Sequence, residues 1–372
     1  MSAMKVGIIG AGNISRRYTQ GLQRFSSVEL VGCADLVQEL ADRLAEESGI
    51  RAYSSIDELL TDPSIEVVVN ITPPTAHREV TLAALAAGKH VYVEKPITLE
   101  VDEAVELQQV AARAGLQLGS APDTFFGSAG QTARSVLDRG IIGDVVGASL
   151  SISHSRVETW HPNPAFFFKP GGGPLLDLGP YYITALVNML GPVQWVAGMT
   201  RIGAPHRTVT TPGSSVDSIE VETPTHAAAV MRTVSGAIVT LQASFDVWDT
   251  EHPPIEVYGT KGAMSVPDPN GFDGEVRIRL HDDDQWQRVD PVFPATAAPE
   301  MDAQMLRGFG VADLVASTQG SEQRASAALA THVLEVLQAI EHSNAQGRLI
   351  EIENSTTQPP SYDGTGLGFT PA

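Results

Sequence analysis

Gly10 and Gly12 stand at the head of Gly10-Ala11-Gly12-Asn13-Ile14-Ser15, directly after an apolar run and before a helical pattern. Glycine at the first position permits a tight turn. Glycine at the second lets backbone approach a pyrophosphate, which then rests on the free N–H groups of the following helix. The third position of this fingerprint serves close helix–strand packing, and here a small residue, Ser15, takes it. Asp35 closes the next apolar run about 20 residues on, where a carboxylate hydrogen-bonds a ribose 2′-hydroxyl. Leu36 offers no cation to a 2′-phosphate. The expected cofactor is therefore NAD rather than NADP, bound by Gly10, Gly12, Asn13, Ile14 and Asp35.

A loop of this kind needs a parallel sheet beneath it. Residues 6–9, 30–34, 67–71 and 90–93 are short, apolar and rich in β-branched types, and helical patterns at 36–48, 76–87 and 99–114 alternate with them. Continuously apolar strands separated by helices predict a doubly wound α/β domain, buried on both faces. Gly88-Lys89-His90 reads as a helix stop running into a strand. From about residue 145 the rhythm changes. Strand-like runs at 145–153, 193–200, 226–232, 238–245 and 255–259, interrupted mainly by a helix at 175–190, predict an antiparallel sheet in an α+β domain. A second helix is expected at 322–342, and residues 354–372, rich in Pro, Gly, Ser and Thr, read as an extended tail. The expected domains are 1–124, 125–353 and the tail 354–372, with the 322–342 helix returning to the first.

Composition narrows the partners. The 372 residues carry 24 Lys plus Arg against 44 Asp plus Glu, a formal net charge of −20. Such a surface repels nucleic acid and anionic lipid. The single cysteine, Cys33, lies in an apolar run and reads as an inert core thiol. The histidines show no ligand spacing, so no metal is expected. No apolar stretch approaches the roughly 20 residues of a membrane helix, and the start lacks the pattern of a secretory signal. A cytoplasmic enzyme with a small-molecule substrate is the expectation.

Three further motifs act together: Thr72-Pro73-Pro74-Thr75-Ala76-His77, then Ala87-Gly88-Lys89-His90-Val91 leading into Glu94-Lys95-Pro96, then Gly171-Gly172-Gly173-Pro174-Leu175-Leu176-Asp177-Leu178-Gly179. In this order and spacing the chain, from Met4 to about Ile352, resembles the glucose–fructose oxidoreductase, inositol dehydrogenase and rhizopine-catabolism (Gfo/Idh/MocA) family. The resemblance implies a Rossmann domain followed by a domain with a large open sheet, and hydride exchange between a nicotinamide and a hydroxyl of a sugar, glycoside or cyclitol. It implies that Thr72, Pro73 and His77 line the cofactor, that Glu94 and Pro96 shape the loop presenting Lys95, and that the Lys95–Pro96 bond is cis. It also implies a homodimer or homotetramer built through the open sheet.

Alcohol oxidation needs a base, or a cation beside the developing alkoxide, within hydrogen-bond reach of the oxygen. Lys95 suits either role. The family's usual pattern after the glycine run is Asp-x-Gly-x-His with an Asp three residues later; here Tyr181 replaces the histidine and Thr184 the second Asp. Asp177 and Tyr181 would share one face of a single helix, and a nearby cation would favour the phenolate. The expected catalytic residues are Lys95, Asp177 and Tyr181. Asp123, Trp160 and His161 join them as substrate contacts, from the loop after the last Rossmann strand and from the segment Glu158 to Pro164. The proton acceptor stays open among Lys95, Tyr181, His161 and a water held by Asp177. Two other readings stand beside the dehydrogenase: an enzyme that keeps and recycles its NAD through transhydrogenation or oxidation–elimination, and a non-catalytic NAD-binding sensor.

Overall fold

The computed structural model describes residues 3–161, 163–214, 216–294 and 307–370. Pro162 of the expected pocket segment, part of the expected second domain and the last two residues of the expected tail lie outside them. The chain forms two compact units: Met1–Ser128 with Val292–Thr331 and Pro359–Ala372, and Ala129–Pro291 with His332–Gln358.

The first unit is a six-stranded parallel sheet in the order β3-β2-β1-β4-β5-β6. Its strands are β1 (Met4–Ile9), β2 (Val28–Ala34), β3 (Arg51–Ala52), β4 (Val67–Asn70), β5 (His90–Val93) and β6 (Leu118–Ser120). Helices α1 (Ser15–Leu22), α2 (Gln38–Ser48), α3 (Ile56–Thr61), α4 (His77–Ala86) and α5 (Val101–Ala114) connect them. Every residue of β4 is buried, as an apolar strand covered on both faces requires. Ala104, Leu107 and Ala111 form the buried face of α5, which ends at Gly115 in the left-handed conformation that spares glycine a Cβ clash. Cys33 is fully buried, and burial, with Asp35 and Asp42 nearby, pushes its thiol up to about 11. It is the inert core thiol expected of it. β3 is too short to show a period and was not foreseen, and β6 was expected only as the strand that precedes the Asp123 loop, without bounds.

In the second stretch of chain, α6 (Ser128–Asp138) leads into β7 (Val145–Ser153), α7 (Gly173–Asp177) and α8 (Gly179–Leu190). The strands β8 (Val193–Arg201), β9 (His206–Thr208), β10 (Ser218–Glu220), β11 (His226–Thr233), β12 (Ile238–Ser244), β13 (Ile255–Gly259), β14 (Gly262–Val266), β15 (Arg277–Leu280) and β16 (Gln287–Arg288) follow. The chain then forms α9 (Phe309–Ser317), α10 (Ala327–Gln346) and β17 (Ile350–Glu351). Nine strands make one sheet, β16-β15-β14-β13-β7-β12-β11-β8-β17. Its pairings are antiparallel except that β12 runs parallel to β7, so the sheet is mixed where an antiparallel one was predicted. Along β11, Ala227, Ala229, Met231 and Thr233 are buried while Ala228, Val230 and Arg232 are exposed, the period of two that a one-sided sheet demands.

Two elements depart from the sequence reading. The helix predicted over 175–190 is two helices joined at Leu178. Pro180 has no N–H to donate and its ring crowds the carbonyl four residues back, so it is accommodated in the first turn of α8 instead. Asp177 thus closes one helix and Tyr181 opens another, whose N–H bonds the carbonyl of Leu178, 3.1 Å away. The helix predicted from Glu322 begins at Ala327, because Ser326 Oγ accepts the N–H of Leu329 (3.2 Å) as an N-cap. The segment before it is held extended by Asp313, which accepts the N–H groups of Arg324 and Ala325 at 2.6 and 3.1 Å. The extended tail, which the sequence leaves either packed or mobile, is packed through Thr370. The N–H of Thr370 bonds the carbonyl of Arg24 (2.9 Å), and the Phe369 ring packs at a tilt against Phe25 and Phe309.

Candidate active site

Register assembles the cofactor loops. Ile9 pairs with Ala34 on one side and Asn70 on the other, Asn70 pairs with Val93, and Val93 with Ser120. The residues that follow, Asp35, Gly10, Ile71, Glu94 and Ala121, leave the sheet side by side at its carboxyl edge, where sheets of this topology bind ligands.

Gly10 has φ +107°, and a Cβ there would lie 2.8 Å from the carbonyl oxygen of Ile71. No other residue fits that turn. Gly12 is exposed, and a Cβ there would meet nothing within 4 Å. Open space above a glycine at the N-terminus of α1 is the cradle a pyrophosphate needs. Asn13 and Ile14 complete the turn into the helix. Asp35 accepts the N–H groups of Ala11 (2.7 Å) and Val37 (2.8 Å), which holds the glycine turn while leaving lone pairs for a ribose hydroxyl. Leu36 beside it is 91% exposed. These residues fit a dinucleotide.

Asn70, fully buried at the end of β4, ties down the next loop. Its Oδ1 accepts from Thr72 Oγ1 (2.7 Å), and its Nδ2 donates to the carbonyl of His77 and to Thr81 Oγ1, both 3.1 Å away. Thr72 and Pro73 sit above it, partly or fully open to solvent. His77, expected to line the cofactor, does not. It is fully buried, with Nδ1 2.7 Å from the carbonyl oxygen of Pro96 and Nε2 2.9 Å from that of Thr72. It joins two loops from beneath. Burial holds its pKa below the ordinary histidine value, opposed by both carbonyls and Glu94.

Glu94 accepts the hydroxyl of Tyr18 (2.8 Å) and the N–H of Lys95 (2.9 Å). Its carboxylate thus braces the loop from which half-buried Lys95 projects, and the Lys95–Pro96 bond is cis. Tyr18 and Asn70 were not foreseen. The signal for Asn70 was a lone amide ending an apolar strand; Tyr18 left no signal.

In the second unit Asp177 is half-buried at the end of α7, and Tyr181 is 8% exposed in the first turn of α8. His161 is half-buried and its Nδ1 accepts the N–H of Asn163 (3.1 Å), while Trp160 is 61% exposed. Asp123 is a correction. It is fully buried in the first unit, and its Oδ2 accepts the N–H groups of Gly308 (2.9 Å) and Gly310 (3.1 Å) at the start of α9. Burial raises its pKa, opposed by Arg307 and those two N–H groups. Its carboxylate anchors a helix and does not reach a substrate. His332, read as packed, is buried, with Nε2 accepting the N–H of Val193 (3.1 Å). Among the described residues no group of three His, Cys, Asp or Glu could hold a metal, and no helix is long and apolar enough to cross a membrane.

A nucleotide-binding parallel sheet joined to a large open sheet defines a two-part oxidoreductase. Residues 4–121 match the oxidoreductase family with an NAD-binding Rossmann fold, and residues 131–265 match the GFO/IDH/MocA C-terminal domain. The chain belongs to the Gfo/Idh/MocA oxidoreductase family. It is 33% identical to 1,5-anhydro-D-fructose reductase of Ensifer adhaerens over 46% of this chain and 52% of that protein, so it spans about half the length of such a curated relative. To trans-1,2-dihydrobenzene-1,2-diol dehydrogenase of Bos taurus it is 28% identical over 83% of this chain and 85% of the other. The fold resembles a levoglucosan dehydrogenase solved with NADH and L-sorbose, with a TM-score of 0.80, 21% identity, and coverage of 94% of this chain and 99% of that one.

Proposed function

We propose that this chain is an NAD-dependent dehydrogenase or reductase acting on a secondary alcohol of a sugar, glycoside or cyclitol. The observation that carries the reading is the common exit of the Asp35, Gly10, Thr72 and Lys95 loops at one edge of the parallel sheet. NAD, when bound, takes up or gives back the hydride. The rest falls to side chains. Gly10 and Gly12 admit the pyrophosphate, and Asp35 takes the ribose hydroxyl and repels a 2′-phosphate. Thr72 and Pro73 border the cofactor, and Glu94 and Pro96 aim Lys95. To Lys95, Asp177 and Tyr181 we assign the alcohol proton, with Trp160 and His161 as substrate contacts. The reductase and dehydrogenase relatives support an alcohol or carbonyl on a ring as the reacting group. Formation of reduced nicotinamide with NAD across a panel of sugars, glycosides and inositols tests the reading, and silence across the whole panel would overturn it.

A homo-oligomer built on the outer face of the large sheet belongs to the same proposal. Met199, Val230 and Ile238 stand 77%, 48% and 48% exposed there. Ser149, Ala197, Ala228 and Thr240 are among the small residues lining a cleft of about 970 Å³ on that face. Apolar surface of this extent favours association with a second copy. Light scattering at micromolar concentration should give a multiple of the chain mass, and Val230→Glu should lower it; a wild-type monomer refutes the assembly.

A further inference from the structure

Two indoles in the second unit lie open to solvent although folding gains nothing by exposing them. Trp248 is 73% exposed and Trp160 61%, with Phe166 at 39%. Such a group of exposed aromatics is a signal of recognition, not of packing.

The three rings are tied to one segment of chain, Arg156 to Phe167. Arg156 is the single non-glycine residue with positive φ (+63°) among those described, a conformation that side chains resist and that tertiary contacts must hold. Its guanidinium lies 4.4 Å from the centroid of Trp248, and an antiparallel bridge from Ser155 to Asp246 ties the two strands together. From Arg156 the chain makes one short turn, Val157–Thr159, to Trp160. Thr159 closes that turn by donating its N–H and its hydroxyl to the Arg156 carbonyl, at 2.9 and 2.8 Å. Trp160 meets His161 edge-on, His161 meets Phe167, and Phe167 meets Phe166, with centroids 5.5, 4.8 and 5.6 Å apart.

Ion pairs and hydrogen bonds brace the same segment. Arg207 is paired with the carboxylates of Glu158 and Asp246, and Thr225 Oγ1 donates to Asp246 at 2.6 Å. The Glu158 carbonyl accepts the N–H groups of Thr210 and Thr211 at 3.0 and 3.3 Å. The aromatic segment also runs directly into the glycine turn that opens α7 and hence to Asp177. A Cβ on Gly172 would lie 2.4 Å from the carbonyl oxygen of Phe166.

Each exposed indole is followed in the chain by a hydrogen-bonding side chain, His161 after Trp160 and exposed Asp249 after Trp248. Indoles with an imidazole and a carboxylate next to them in the chain suit a pyranose ring, whose axial C–H bonds stack on indole while its hydroxyls need polar partners. A purely aromatic group would use the indoles and leave the polar side chains unused.

We propose that Trp160, Trp248 and Phe166 form a stacking shelf for a second sugar ring, joined to the ring whose hydroxyl reacts, so that the preferred substrate is a disaccharide. The proposal rests on the dehydrogenase reading for the reacting ring, but its test does not. Calorimetric titration of the full chain, with NAD present, compares cellobiose, maltose and trehalose with methyl glucoside and phenyl glucoside. At least one disaccharide should bind about ten-fold more tightly than methyl glucoside. Trp160→Ala and Trp248→Ala should each weaken that disaccharide about two- to ten-fold, the scale of one aromatic contact, and Trp248→Ala should leave methyl glucoside unchanged. Both side chains are mostly exposed, so the variants should fold, as their melting temperatures would verify. Equal affinity for mono- and disaccharides overturns the shelf even if turnover is seen. So does tighter binding of phenyl glucoside than of any disaccharide, or a fall in oligomer mass on Trp248→Ala, which would assign the indoles to a subunit contact. Disaccharide binding without any turnover would retain the shelf and sink the dehydrogenase reading instead.

Discussion

Nδ1 of His77 lies 2.7 Å from the carbonyl oxygen of Pro96, immediately after Lys95, and its other ring nitrogen lies 2.9 Å from the carbonyl oxygen of Thr72. One buried ring therefore couples the loop after β4 to the loop after β5. A neutral imidazole carries one N–H, so it donates fully to one carbonyl at a time, and burial favours that neutral form. His77→Phe removes both contacts and leaves two carbonyls facing an apolar ring. The expected cost is about 1–3 kcal/mol per unsatisfied group, read as a lower urea midpoint, with a raised KM for NAD. An unchanged midpoint and KM would show that the two loops hold without the histidine.

His332 offers a cleaner test of pH dependence. Nε2 accepts the N–H of Val193 and Nδ1 donates to the carbonyl of Asn354 (2.8 Å), so the neutral tautomer is specified by its partners. Burial lowers its pKa, opposed by the Asn354 carbonyl and Glu335. The folded state thus binds this proton less readily than the unfolded chain. The stabilisation is present above the unfolded value of about 6.5 and is lost as pH falls below it toward the folded pKa. His332→Gln should therefore flatten the fall of Tm between about pH 7 and about pH 5. Buried Asp123 and Asp313 have raised pKa values and act in the opposite sense. They are the same in both proteins and drop out of the comparison. Parallel Tm curves would contradict the assignment.

The proposed preference for NAD over NADP rests on Asp35 and Leu36. A carboxylate held at the end of β2 repels a 2′-phosphate, and a desolvated like-charge contact can cost several kcal/mol. Asp35→Ala combined with Leu36→Arg should move kcat/KM toward NADP. Because Asp35 also accepts the N–H of Ala11, the single Asp35→Ala variant should in addition loosen NAD itself. Wild-type turnover that is equal or better with NADP would refute the preference.

Lys95 and Tyr181 are assigned to one proton. Lys95→Met removes the charge at similar length and should lower kcat by about 100- to 10,000-fold, the usual range of general acid–base catalysis. Tyr181→Phe removes only the hydroxyl, and a drop in kcat without a change in NAD affinity is expected. If the two act as a unit, the double variant should lose far less than the product of the single losses. Strict additivity would show that the pair does not share the proton, and an unchanged kcat in Tyr181→Phe would leave it to Lys95, His161 or a water held by Asp177.

The cofactor loop was readable because its requirements are local. A left-handed turn at Gly10, open space at Gly12 and a carboxylate ending β2 are set by backbone conformation and spacing, which neighbouring residues encode. The same holds for the strand and helix pattern of the first third and for the cis bond at Lys95–Pro96, which the resemblance implied. By itself the sequence determined the family, the nucleotide-binding sheet and the side chains offered at its edge.

Tertiary structure decided where polar side chains turn. Asp123 follows a strand at the ligand-binding edge, yet its partners are the N–H groups of Gly308 and Gly310, 185 and 187 residues away. His77 sits within a cofactor motif but is buried beneath it. β12 lies parallel to β7, although alternation in either strand is equally compatible with an antiparallel partner. The physical reason is common to all three. Periodicity reports which face of an element is apolar, whereas the partner of a buried polar group depends on which distant segment closes over it, and that is settled only when the chain has folded.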